Sequence, residues 1–156
     1  MSKFDTLTAN LLSACDARKA IDEGLLSSQE LVEACFARID SLEESIGAWT
    51  HLDKEIAMQQ AREADEFRSR GLRVGALHGI PIGIKDIIDT RDYATELGTV
   101  LHEGRKPSID ATLVSLLKEA GAIILGKTVT TELAVLEPGK TSNPHNNAHT
   151  PGGSSS

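Results

Sequence analysis

The stretch Gly79-Ile80-Pro81-Ile82-Gly83-Ile84-Lys85-Asp86 limits the possible folds more than any other. Side chains alternate across a β-strand, so Ile80, Ile82 and Ile84 share one face while Pro81, Gly83 and Lys85 share the other. The first face requires burial. The second sets a lysine beyond two residues that project little, which predicts open space in front of its amine. The proline confines the segment to the start or the edge of a strand. Residues 87–90 are read as extending the strand, and 91–108 as loop, punctuated by Gly98, Gly104 and Pro107.

Helices dominate before this strand. Leu11, Leu12, Cys15 and Arg18-Lys19 recur at helical spacing and predict a helix over 8–23, with Gly24 as its C-terminal cap. Ser27-Ser28-Gln29-Glu30 has the capping-box pattern, with Ser27 as N-cap. The helix it opens carries Leu31, Val32, Cys35, Ile39 and Leu42 on one face. After a polar break near Gly47, residues 54–70 form a third helix closed by Gly71. Residues 1–70 offer packing surface and no chemistry.

After the loop, Asp110 is placed to cap a helix through Ala120, closed by Gly121. Ala122-Ile123-Ile124-Leu125 is too short for a helix and reads as a buried strand. Residues 130–136 suit one or two helical turns. From Glu137 onward Pro, Gly and Asn predominate and predict a long loop of functional or linking character.

The bulk chemistry excludes several classes. With a net charge of −7 and only five aromatic residues, the chain lacks both the basic patch and the stacking platforms of a nucleic-acid binder. No apolar run is long enough to span a bilayer, and residues 1–10 do not form a secretory signal. Cys15 and Cys35 are read as reduced core cysteines, and no metal site or cofactor is expected. A cytoplasmic protein follows from these features.

Gly121-Ala122-Ile123-Ile124-Leu125-Gly126-Lys127-Thr128 matches the phosphate-loop pattern letter for letter. Its context differs, because a helix precedes the first glycine and the spacer prefers a strand; Lys127 is then structural or at a pocket edge. Nucleotide binding stays open as an alternative. Lys85 could act as a base only if burial lowered its pKa from about 10.4, a shift that can reach about 3–5 units. A charged Asp86 nearby would oppose that. Gly152-Gly153-Ser154-Ser155-Ser156 has the composition of a linker, and His145 and His149 lack an acid placed to orient them.

Taken in order, residues 79–86, Asp110-Ala111, residues 120–128, Thr131-Glu132, residues 141–144 and Pro151-Gly152-Gly153-Ser154-Ser155 resemble the N-terminal part of an amidase-signature enzyme, and residues 24–32 resemble that family's opening. The resemblance implies an α/β protein, part of a three-layer α/β/α fold with a mixed sheet preceded by N-terminal helices. It implies a Ser-cisSer-Lys triad in which Lys85 is the neutral base and Ser154 the relay, with the nucleophile and oxyanion donors beyond residue 156. Leu133 and Thr99 depart from the family's usual Phe and Ser, and residues 131–141 look like the free-standing amidases rather than the subunit of the tRNA-dependent amidotransferase.

The expectation is therefore a single incomplete amidase domain, with 1–70 helical and 71–156 beginning the core. It would hydrolyse linear amides other than peptide bonds through an acyl-enzyme, on a small-molecule amide substrate, with a homo-oligomer possible. Residues 1–156 by themselves are expected to be inactive, to bind hydrophobic dyes and to self-associate. A non-catalytic relic or scaffold is the remaining alternative.

Overall fold

The computed structural model describes residues 6–155. Met1–Asp5, which belong to the segment read as no secretory signal, and Ser156, last of the serine run, lie outside the described residues. Four α-helices and three strands follow in the order α1 (Ala14–Asp22), α2 (Ser28–Ile46), β1 (Trp49–Leu52), α3 (Lys54–Ser69), β2 (Pro81–Lys85), α4 (Thr112–Glu119) and β3 (Ile123–Thr128). The chain divides into two compact units, one of Met1–Asp40, Asp53–Ile82 and Leu116–Leu125, the other of Ser41–Leu52, Gly83–Ser115 and Gly126–Ser156.

In the first unit, helix termini are closed by the residues the sequence nominates. Ser27 Oγ accepts from the Glu30 N–H at 3.1 Å, and Glu30 Oε2 accepts from the Ser27 N–H at 2.8 Å. The capping box therefore forms. A second acceptor completes it: Asp65 on α3 takes the N–H groups of Ser28 (2.8 Å) and Gln29 (3.2 Å). Gly24 adopts φ +68°, the left-handed conformation a helix-ending glycine supplies. The predicted helix over 8–23 is interrupted, however. Thr6–Leu11 is a 3-10 turn, and α1 starts only after Ser13, whose hydroxyl accepts from the Asp16 N–H and caps the new helix. Ala17, Ala20, Ile21, Leu26, Leu31, Ala34 and Ile80 form the core, with Cys35 and Ile82 partly buried against it. Cys15 is exposed, which corrects the reading of two core cysteines.

Gln60 holds the start of β3. Its side-chain oxygen accepts from the Ile124 N–H at 3.0 Å and its amide donates to the Ile124 carbonyl at 3.2 Å, so one side chain stands in for a neighbouring strand. Ile80 O accepts from the Ile123 N–H at 2.9 Å, which starts the pairing of β2 with β3.

In the second unit, Asp86 N–H donates to Thr128 O at 3.0 Å. Residue numbers rise in the same direction on both strands, so β2 and β3 are parallel. β1 pairs antiparallel with β3, giving a mixed sheet in the order β1-β3-β2. β1 has no counterpart in the sequence reading. β3 also runs past Leu125 through Gly126-Lys127-Thr128, and Gly126 is required there: a Cβ would lie 2.1 Å from the His51 carbonyl oxygen. Beside Gly83, Trp49 and Thr128 fill the space where a Cβ would sit, so the opening predicted along that face is occupied at this position. β2 ends at Lys85 and the chain turns at residues 86–87, so residues 87–90 do not extend the strand. Helix α4 begins at Thr112, and Asp110, read as its cap, accepts from the Arg91 N–H at 2.7 Å. Residues 132–134 form a 3-10 turn in which Leu133 has φ +49°. Val100, Leu101, Ile109 and Leu136 are largely exposed.

Candidate active site

Strand β2 ends on Lys85, and the chain's closing loop returns to meet it. Lys85 Nζ lies 2.6 Å from Ser154 Oγ, a hydrogen bond spanning 69 residues of sequence. The loop is anchored through the backbone of the same serine. Ser154 O accepts from the Thr131 N–H at 3.2 Å and faces the Thr130 hydroxyl at 3.0 Å. That hydroxyl also lies 3.1 Å from the Thr131 carbonyl, and its single proton serves one acceptor at a time. Thr130 and Thr131 are buried. The Gly153–Ser154 peptide is cis, and Gly152 has φ +102°, a value that favours glycine. Sequence reading nominated Lys85 and Ser154 and gave Thr130 no role. Only a fold that returns residue 154 to residue 130 discloses it.

The next residue in sequence meets a different partner. Asp86 is fully buried, and its Oδ1 lies 3.1 Å from Lys127 Nζ, which is equally buried. The Lys127 ammonium also donates to Thr95 Oγ1 at 2.6 Å and to Ala94 O at 3.2 Å, so each of its three N–H groups has a partner. The Glu96 N–H is shared between both Asp86 oxygens at 3.2–3.3 Å. Desolvation pushes the Lys127 pKa down, against the opposing pull of Asp86. Beyond this pair, Arg105 grips Asp89 with two bonds of 2.7 and 2.8 Å and lowers the pKa of that carboxyl. Glu96 is lowered chiefly by the Gly104 N–H and also bonds His51 at 2.9 Å.

These partners correct the phosphate-loop reading of residues 121–128. Ile123–Thr128 is a strand with its backbone groups engaged in the sheet, and Lys127 points into a closed ionic cluster. A phosphate-binding loop must instead present free N–H groups at a helix start. His145 and His149 lie in exposed loop and are not brought to Lys85 or Ser154. Among the described residues no cluster suited to a metal ion occurs, and no helix is long and apolar enough to cross a membrane.

A family model described as Amidase matches residues 30–156. The chain belongs to the amidase family. Solved amidases share its fold. The peptide amidase of Stenotrophomonas maltophilia superposes with a TM-score of 0.88 at 33% identity, covering 96% of this chain and 33% of that one. A fatty acid amide hydrolase gives a TM-score of 0.86 at 30% identity, covering 96% and 28%. Among curated relatives, a glutamyl-tRNA(Gln) amidotransferase subunit of Streptomyces avermitilis is 40% identical over 149 residues, 92% of this chain and 30% of that protein. Its counterpart in Cereibacter sphaeroides is 42% identical over 136 residues, covering 87% and 27%. The chain thus spans about a third or less of its relatives' length.

Proposed function

We propose that this chain is the N-terminal part of an amide hydrolase domain in which Lys85 is the general base and Ser154 relays the proton. The 2.6 Å contact between Lys85 Nζ and Ser154 Oγ carries this reading, because proton transfer requires hydrogen-bond reach before anything else. In the forward step, an attacking serine hydroxyl gives its proton to Ser154 Oγ as Ser154 passes its own to a neutral Lys85 amine. The hydroxyl attacks the amide carbonyl, the leaving nitrogen departs with a proton, and water then releases the acyl group by the same relay. On this reading the attacking serine and the oxyanion donors are supplied by sequence outside residues 1–156. The proposed substrates are small linear amides, turned over without a metal or cofactor.

Substitution in the full-length protein that carries this chain tests the assignment. Lys85→Met should lower kcat by about 10²–10⁴-fold on an amide panel, the usual contribution of general acid–base catalysis. Turnover untouched by Lys85→Met would end the reading.

A second reading draws on the 39–42% identity to glutamyl-tRNA(Gln) amidotransferase subunits. There the same relay would liberate ammonia for transfer inside a larger assembly. Amide hydrolysis that appears only when partner proteins are added would favour it, and unaided hydrolysis would favour the free-standing enzyme.

A further inference from the structure

We propose that Leu97 is a positioning residue for the relay: its left-handed backbone ties the end of β2, which carries Lys85, to the turn that holds Ser154, and so sets the reach between the two side chains. The inference rests on the assignment of Lys85 and Ser154 as base and relay. Hydrogen bonds trace a closed ring through the site. The Asp86 carbonyl, one residue beyond the base, accepts from the Leu97 N–H at 3.1 Å, and the Leu97 carbonyl accepts from the Leu133 N–H at 2.8 Å. The next N–H, that of Ala134, donates to Thr131 O at 2.9 Å, and the Thr131 N–H donates to Ser154 O at 3.2 Å. Ser154 Oγ then meets Lys85 Nζ at 2.6 Å and closes the ring.

Backbone conformation marks the same ring a second time. Among the described residues, the non-glycine residues with φ in the left-handed region are Leu97 (+58°), Leu133 (+49°) and Ala134 (+59°), and all of them lie on it. A side chain makes that conformation unfavourable, so it persists only where the surroundings fix it, and such residues gather at functional sites. Leu97 is fixed on both sides. Both of its backbone groups are used on the ring. Gly98, which follows it at φ +66°, packs so closely that a Cβ would lie 2.8 Å from Thr130 O and 3.1 Å from Thr131 O. An extended backbone at residue 97 would redirect its N–H and C=O and release the 131–134 turn from the end of β2. The Leu97 side chain is partly buried and lines a cleft with Ile87, Ile88 and Ile109, so packing there is the competing account of this residue.

The test ranks substitutions at residue 97 in the full-length protein that carries this chain. It reads kcat and KM on an amide panel, with the folded fraction of each variant matched by circular dichroism. Glycine and asparagine accept the left-handed conformation, alanine accepts it less readily, and β-branched isoleucine least of all. If the backbone positions the relay, Leu97→Gly and Leu97→Asn retain the most turnover and Leu97→Ala less. Leu97→Ile then falls below Leu97→Gly by about 10–100-fold in kcat with KM little changed, the scale set by a misplacement of about 1 Å. If the side chain acts through packing, the order reverses, with isoleucine highest because it matches leucine in volume. That reversed order, equal kcat in every variant, or a rise in KM with kcat held would overturn the proposal. Should Leu97→Ile fail to fold, the order of glycine, asparagine and alanine still decides. Lys85→Met judges the base assignment independently. Lost turnover there together with the reversed order at residue 97 would sink this inference alone, whereas turnover that survives Lys85→Met would sink the assignment beneath it.

Discussion

Asp65→Ala should be among the most damaging polar substitutions outside the site, and its cost can be worked from three contacts. The Asp65 carboxylate accepts from the Ser28 N–H at 2.8 Å, the Gln29 N–H at 3.2 Å and the Gln29 side-chain amide at 3.0 Å. The first two are backbone donors at the start of α2 that have no partner within the helix. The capping box supplies only the Glu30 N–H. Alanine would strand Ser28, which is buried, and would remove a negative charge from the positive end of a 19-residue helix. Cap losses cost about 0.5–2 kcal/mol and hydrogen bonds to charged groups about 1.5–3, so roughly 2–3 kcal/mol is expected. Asp65→Asn keeps one acceptor and should cost about half as much. For a chain of this size, 2–3 kcal/mol corresponds to a Tm lower by about 4–12 °C. Urea titration followed by circular dichroism reads the same quantity from the midpoint at constant slope. A loss below about 0.5 kcal/mol for Asp65→Ala would refute the reasoning and leave the capping box as sufficient closure.

Thr130→Val is nearly isosteric and removes the hydroxyl facing the Ser154 carbonyl, leaving the Thr131 N–H as its donor. It should cost about 1 kcal/mol in urea and lower kcat in the full-length protein by up to about tenfold with KM little changed; an unchanged kcat would deny Thr130 any part in holding the relay. Gly126→Ala drives a Cβ to 2.1 Å from the His51 carbonyl, and loss of β1–β3 pairing or of soluble protein is expected; parent-like stability would contradict that register. Asp89 and Glu96 have folded-state pKa values below their unfolded ones, so their contribution is present above about pH 4–4.5 and disappears as pH falls through the lowered values. Asp89→Asn and Glu96→Gln should therefore flatten the acid side of the stability–pH curve, and a curve of parental steepness would count against it.

Legibility from sequence follows the range of the interaction. Ser27 and Glu30 are three residues apart and can be paired by pattern. Asp65, which closes the same helix end from 37 residues away, cannot. β1 escapes a reading of pattern because Trp49–Leu52 is four residues long with no alternation of its own, and its pairing depends on Gly126–Thr128. Gly126-Lys127-Thr128 looks like a turn after a strand because a lysine there has no visible reason to be inside; its reason lies at residue 86. At the site, the family resemblance nominates Lys85 and Ser154. It does not supply the threonines that bind the Ser154 carbonyl or the buried Asp86–Lys127 pair.

The complete enclosure of Lys127 has a practical corollary. Reagents that modify primary amines can reach it only after its cluster with Asp86, Ala94 and Thr95 opens, whereas the side chains of Lys19 and others on the surface react at once. The order in which lysines acquire label thus becomes a clock for opening of that cluster, readable peptide by peptide in a mass spectrometer without any engineered probe.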